Sequence, residues 1–279
     1  MVSNDTIIIF CSCKINTFVL QYSLREYYFL KGESLDKMAE EKSILLMFSG
    51  GKDSFLSALR LSKEFPDYTI NLAVFDNGCM TGLKNAETTV QKLKSINKYS
   101  FCFRGYYNTY GIAREFFFPY FNMKAEDLAE KYPALTASQF HCLICETSMY
   151  LQSFWLARKW DCEYVANGAR ECQEFVVEQE DMIDRYQELA KEFGLAIKYP
   201  VYDIEDDWEL ENEIFRYGLI PKTYEPKCII GCPTYGTVDS RVIESTVSYY
   251  DKEIYPRIKR LKFLNPDVYK NYTKSNDDD

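Results

Sequence analysis

Ile44-Leu45-Leu46-Met47-Phe48-Ser49-Gly50-Gly51-Lys52-Asp53-Ser54-Phe55 is the stretch whose reading decides the fold. The apolar run Ile44 to Phe48 has the composition of a buried strand. Two glycines break it, and Phe55, Leu56, Leu59 and Leu61 then recur at helical spacing. Strand, glycine turn and helix together aim backbone N–H groups and a positive helix end at an anion. Gly50 and Gly51 put no Cβ between the backbone and a phosphate. Ser49 and Ser54 add hydroxyls, and Lys52 adds a point charge. The Gly-x-x-x-x-Gly-Lys-Ser/Thr spacing of a Walker loop is absent.

From Ile44 onward strand and helix patterns alternate, which predicts an α/β fold with a doubly wound parallel sheet. Tyr68 to Phe75 reads as a second strand ending in Asp76-Asn77-Gly78, where a simple turn and a ligand contact compete. A helix follows over Asn85 to Ile96 and a third strand over Tyr99 to Gly105. The aromatic segment Gly111 to Phe121 is expected to be helical. Ala134 to Phe140 reads as a loop leading into a helix that ends at Trp160. Glu163 to Ala169 is the fourth strand, ending in Asn167-Gly168-Ala169-Arg170. Gln173 to Phe193 reads as a charged outer helix. Ala196 to Tyr202 is a strand that Pro200 places near an edge or end. Asp206 to Tyr217 is a helix stopped by Gly218 and Pro221, and Val238 to Leu264 is one helix or two. The expected organisation is an extension over residues 1–42, one domain over 43–235, and a helical segment with an acidic tail over 236–279. The extension carries no motif, and Met38 offers an alternative start of translation.

Among 279 residues, 47% are hydrophobic, enough for a sizeable core. Lys and Arg number 33 against 42 Asp and Glu, a net charge of −9, which disfavours general contact with a nucleic-acid backbone. No apolar run reaches the roughly 18 residues a membrane helix needs, and no basic segment opens the chain as in a signal peptide. A cytoplasmic protein without a membrane partner is expected, with its ten cysteines reduced. The 23 tyrosines and 19 phenylalanines have no functional reading at this level. Cys142 and Cys145 sit three apart, a spacing that puts both thiols on one helix face. Cys228 and Cys232 follow on a later loop. Thiolates suit zinc or iron–sulfur centres, and buried structural thiols are the competing reading.

Ser49-Gly50-Gly51-Lys52-Asp53-Ser54 after an apolar strand closely resembles the pyrophosphate loop (PP-loop) of the ATP pyrophosphatase family, of the adenine nucleotide alpha-hydrolase-like type. The resemblance implies a HUP or Rossmann-like domain that binds ATP and Mg2+ on Ser49 to Ser54. It implies attack at the α-phosphate, an adenylated intermediate and release of pyrophosphate. Lys52 and Asp53 would act catalytically, Asp53 toward magnesium or as a helix cap. Phe75 and Asp76 would lie beside the adenine and ribose, and Gly168 would face the phosphates. A Cys-x-x-Cys with a distant third cysteine further resembles ATP-dependent enzymes that thiolate tRNA. In that likeness Cys142, Cys145 and Cys228 hold a 4Fe-4S cluster, and Cys142 and Cys228 take part in sulfur transfer. Cys232 departs from the three-cysteine layout: it closes the cluster, carries a persulfide or is structural, and zinc stays open as the metal. The implied activity is ATP-dependent thiolation of a small molecule or nucleobase or nucleotide, with a sulfur donor as a further partner. Thiolation of tRNA is the runner-up, and a zinc-bearing, ammonia-using enzyme like 7-cyano-7-deazaguanine synthase is the third reading. A homodimer is compatible with the sequence.

Overall fold

The computed structural model describes residues 6–13, 16–23, 42–97, 100–173, 175–220, 226–230 and 238–265. The chain forms two units, Met1–Glu41 and Lys42–Asp279. In the first, β1 (Thr6–Cys13) and β2 (Asn16–Ser23) make an antiparallel hairpin, with Thr6 opposite Ser23 and Cys13 opposite Asn16.

The second unit is built on a five-stranded parallel sheet with the order β6-β4-β3-β7-β8. These strands are β3 (Ser43–Met47), β4 (Thr69–Asp76), β6 (Phe101–Asn108), β7 (Tyr164–Ala166) and β8 (Ala196–Lys198). A two-residue ribbon, β5 (Met80–Thr81), pairs antiparallel with β9 (Lys227–Cys228). Along β3 the side chains alternate between two cores, as a strand with period two must when helices cover both faces. Ile44, Leu46 and Phe48 join one cluster, and Leu45 and Met47 join the other. Helix α1 (Lys52–Glu64) connects β3 to β4, and α2 (Ala86–Ile96) connects β4 to β6. Helices α3 (Tyr110–Phe121), α4 (Ala125–Lys131) and α5 (Ala137–Lys159) then return the chain to β7, on the other side of β3. The direction of winding therefore reverses at β3, and the crevice outside the carboxyl ends of strands at such a point is where ligands bind.

Of the loop expected over Ala134 to Phe140, only the part up to Thr136 is irregular. Thr136 and Gln139 form a capping box, each side chain accepting from the other's backbone N–H, and α5 starts at Ala137. The long helix expected from Gln173 starts only at Glu180, as α6 (Glu180–Glu192). Before it, Phe175-Val176-Val177 is an apolar run whose two valines are buried. Nor is α6 merely a solvated cover, since Met182, Tyr186, Leu189 and Ala190 are buried. Strand β8 ends at Lys198 and leaves Pro200 in a turn, at the sheet edge as anticipated. Gln187 of α6 closes that edge: its side-chain Nε2 donates to Ile197 O at 2.7 Å, and its Oε1 accepts from Ile197 N at 3.1 Å.

Helix α7 (Asp207–Arg216) is capped by Asp206, whose Oδ1 accepts from Glu209 N at 2.7 Å, and Gly218 at φ +75° follows its end. Residues 240–260 form α8 (Ser240–Tyr249), a π-turn over Tyr250–Ile254, and α9 (Tyr255–Arg260). Tyr249, Tyr250, Ile254 and Ile258 from this segment enter the same core as α5 and α6. Much of the aromatic excess is spent there: Tyr150, Tyr186, Tyr249 and Tyr250 are among the largest fully buried side chains. The rings of Tyr150 and Tyr186 lie 4.4 Å apart, and those of Tyr132 and Tyr249 lie 4.9 Å apart. Among the described residues no helix is long and apolar enough to cross a membrane.

Candidate functional site

The turn after β3 is tied to itself. Gly51 N donates to Ser49 Oγ at 3.1 Å, Gly50 N donates to Ser54 Oγ at 3.2 Å, and the two hydroxyls are 3.1 Å apart. Gly50 adopts φ +83°, and a Cβ there would stand 2.7 Å from Ala86 Cα of α2. Glycine at this position is thus required both by the backbone angle and by the neighbouring helix. The N-cap of α1 is Gly51, with no side-chain cap. Asp53 is therefore not the cap; it sits in the first turn, and the amides there are placed to receive an anion.

A cavity of about 770 Å³ opens over this turn. Its two flanks differ because they come from opposite sides of β3. The β4 side supplies Phe75, Met80 and Leu83, while the β7 side supplies Asn167, Gly168, Arg170, Gln173 and Glu178. Glu146 of α5 and Asp206 and Asp207 at the head of α7 complete the polar part, and Met149 of α5 adds apolar surface. Of the residues singled out in the sequence, Ser49, Asp53, Ser54, Phe75 and Gly168 line this space. A Cβ on Gly168 would meet Ser54 N at 3.0 Å, so the glycine lets the β7 end approach the turn itself. Asp76 turns inward on its own chain and accepts from Gly78 N at 2.8 Å, which is the turn reading of Asp76-Asn77-Gly78.

The charges over the turn are already paired. Lys52 Nζ lies 2.7 Å from Glu211 Oε1 and 3.3 Å from Asp207 Oδ2. Burial works against its charge, yet the two carboxylates together hold its pKa above the usual lysine value. Arg170, only 3% exposed, has Nε 2.6 Å from Asp53 Oδ1 and Nη2 2.6 Å from Asp207 Oδ1. Gln173 Nε2 donates to Asp53 Oδ2 at 3.0 Å. The Arg170 hydrogen bond pulls Asp207 below the usual carboxylate range. Glu146 is the opposite case: protein atoms surround it except where it faces the cavity, and burial pushes it up to about 7 against a 2.7 Å hydrogen bond from Asn167 Nδ2. Glu178 is also pushed well above the usual value, by burial and then by Glu146. Arg170, Glu146, Glu178 and Asp207 escaped the sequence reading. Arg170 stood in the quoted strand-end tetrapeptide, and Glu146 directly follows Cys145. Nothing local marks Glu178 or Asp207.

Of the thiols, Cys145 lies within electrostatic reach of Cys228 and of Cys79. Cys142 is partly buried against the large hydrophobic cluster. Cys145 Sγ accepts from Asn77 Nδ2 at 2.7 Å, and burial pushes its thiol up to about 12. Cys228 Sγ lies 3.8 Å from Nε2 of His141, which is a buried member of α5 stacked on Phe117 rather than a loop residue. Cys79, brought beside Cys228 by the β5–β9 ribbon, is the nearby thiol that sequence spacing did not mark. Cys232 lies outside the described residues. Among the described residues no three His, Cys, Asp or Glu side chains are placed to hold a metal ion.

No protein-family model matches the sequence, and no curated protein matches it. Among solved structures, a 4-thiouridine synthetase in complex with RNA and with bound ATP aligns over 97% of this chain at a TM-score of 0.57 and 12% identity. The two share a fold. That fold is the Rossmann-like, doubly wound α/β architecture, and the chain spans 63% of the synthetase's length. Lower scores come from two further structures. The U34-tRNA thiolase NcsA from Methanococcus maripaludis with its 4Fe-4S cluster has a TM-score of 0.43 at 14% identity, over 89% of this chain and 78% of that one. A "predicted subunit of tRNA methyltransferase" from Methanocaldococcus jannaschii has 0.36 at 17% identity, over 67% and 96%. At those scores neither adds to the assignment of the fold.

Proposed function

We propose that the chain is an enzyme that binds ATP over the Ser49–Ser54 turn and adenylates a carbonyl oxygen of a nucleobase or nucleotide, releasing pyrophosphate, before sulfur replaces the oxygen. The observation that carries this reading is the cavity at the winding reversal. It joins an uncapped helix start and a double-glycine turn to an apolar flank on one side and a hydrogen-bonding flank on the other. In this reading the adenine of ATP packs on the apolar flank of Phe75, Met80 and Leu83, and the phosphates of ATP lie on the turn. The acceptor then comes from the side of Asn167 and Glu178, where carboxyl and amide groups meet the N–H and C=O edges of a base. Oxide is a poor leaving group and AMP a good one, which is why the oxygen is activated first. Lys52 and the first-turn amides stabilise charge that develops on the phosphates. Magnesium usually enters such sites on the phosphates with one or two protein carboxylates; Asp53 is the carboxylate in place for it.

Sulfur as the incoming group is supported by the fold shared with a thiouridine synthetase. Cys142 and Cys228 are the thiols we assign to positioning hydrosulfide, which bonds to the carbon as the C–O bond to AMP breaks; no step is routed through a cluster. An RNA-borne base is the second reading, favoured by the RNA in that complex and opposed by the net charge of −9. The test incubates the protein with ATP, magnesium and sulfide, with either free nucleosides or unmodified tRNA. Substrate-dependent AMP and pyrophosphate, with oxygen-for-sulfur exchange in the product mass, is the expected result. Release of ADP and phosphate instead would overturn the assignment.

A further inference from the structure

We propose that Arg170 and Lys52 form a two-cation clamp for the β- and γ-phosphates of the nucleotide, and that Asp207, which pairs with both cations in this structure, gives way to the triphosphate. The inference rests on the reading that ATP binds the Ser49–Ser54 turn, and it assigns the part of the site that recognises the leaving pyrophosphate.

Three observations converge on Arg170. Its side chain is almost entirely buried yet lines the cavity. Its Nη1 is buried without a hydrogen-bond partner among the described residues, and its close approach to Asp53 is a charge contact rather than an aligned hydrogen bond. A guanidinium that keeps donors unsatisfied inside a protein carries a desolvation cost, which a ligand supplying oxygens would remove. Its planar fork matches paired phosphate oxygens better than any other side chain. The third observation is placement: Arg170 lies two residues after Gly168, whose backbone abuts Ser54 N, so the guanidinium cannot stand far from the turn.

Asp207 supplies the second half of the argument. Its two oxygens bridge the two cations, Oδ1 to Arg170 Nη2 at 2.6 Å and Oδ2 to Lys52 Nζ at 3.3 Å. A phosphate would present the same pair of oxygens to the same two groups. Asp207 is well placed to leave: its side chain is 63% exposed at the head of α7, so water takes up its charge once it turns outward. Asp53 and Glu211 remain beside the cations and keep them oriented.

The test compares ATP with AMP, because AMP reaches the turn but carries no β- or γ-phosphate. Titration calorimetry with magnesium is run on wild type, Arg170→Gln and Asp207→Ala, with inorganic pyrophosphate as a third ligand. Arg170→Gln is expected to weaken ATP and pyrophosphate by about tenfold or more while leaving AMP within about twofold. Asp207→Ala is expected to tighten ATP severalfold and leave AMP unchanged. Equal loss of ATP and AMP in Arg170→Gln, or weaker ATP binding in Asp207→Ala, would overturn the clamp while leaving the turn as the nucleotide site. Wild type that binds neither nucleotide overturns the turn reading and the clamp with it. If Arg170→Gln fails to fold, Asp207→Ala decides alone, since it removes an exposed side chain and leaves Arg170 beside Asp53.

Discussion

Lys52 and Asp53 are neighbours in the chain but serve opposite networks. Lys52 meets the α7 carboxylates, and Asp53 meets Arg170 and Gln173. Partly exposed ion pairs like those of Lys52 contribute about 0–1 kcal/mol each. Lys52→Ala is therefore expected to keep its thermal midpoint within a few degrees while pyrophosphate formation falls by about 100-fold or more; retained turnover would mean that the charge has no part in the reaction. Glu178 gives a pH prediction. Its folded-state pKa is raised above the ordinary 4.5. Both folded and unfolded forms hold the proton below that value; above it the unfolded chain ionises freely while the folded site resists, so stability is lost as pH rises. Glu178→Gln should accordingly be more stable than wild type at about pH 8 and indistinguishable near pH 4, read by thermal unfolding across that range. The turn residues were legible because their chemistry is local: glycines, hydroxyls and a lysine within six positions. The partners of Lys52 lie 155 and 159 positions away, so only the fold could reveal them. The cysteine pair shows the other limit. Spacing placed Cys142 and Cys145 near one face, but it could not say that Cys142 would meet the hydrophobic cluster and Cys145 would meet Asn77.

At the level of elements, the site is a junction of α1, α2 and the end of β7, and small residues make the junction. Gly50→Ala must accommodate a left-handed backbone and a Cβ 2.7 Å from Ala86 Cα. Such a change is expected to cost about 2–4 kcal/mol, seen as a lower denaturant midpoint at unchanged slope; a loss below about 0.5 kcal/mol would show that the turn relaxes freely. Strand and helix alternation from β3 to α7 was readable because each element keeps its own hydrophobic period. Boundaries were misread where polar residues serve a helix end, as Thr136 and Gln139 do. They were also misread where apolar residues line a cavity wall or loop, as Phe175 does.

For the whole molecule, the reversal of winding at β3 places the cavity, and the flanks differ in polarity because they descend from different sides of the sheet. Doubly wound architecture followed from the pattern of elements; that residues 240–260 complete the core beside α5 and α6 did not, since an amphipathic pattern does not name the surface it will cover. One contact has a bearing beyond the site. An exposed outer strand invites strand-to-strand pairing between copies, the usual start of edge-on aggregation. Gln187 presents an amide to Ile197 as a neighbouring backbone would, filling both its donor and its acceptor. The chain thereby carries a one-residue imitation strand that ends the sheet. Gln187→Leu should lower the concentration at which the protein begins to associate, followed by light scattering at a temperature below unfolding. A side chain of α6, on the far side of β8 from β7, thus occupies backbone groups through which that edge would pair.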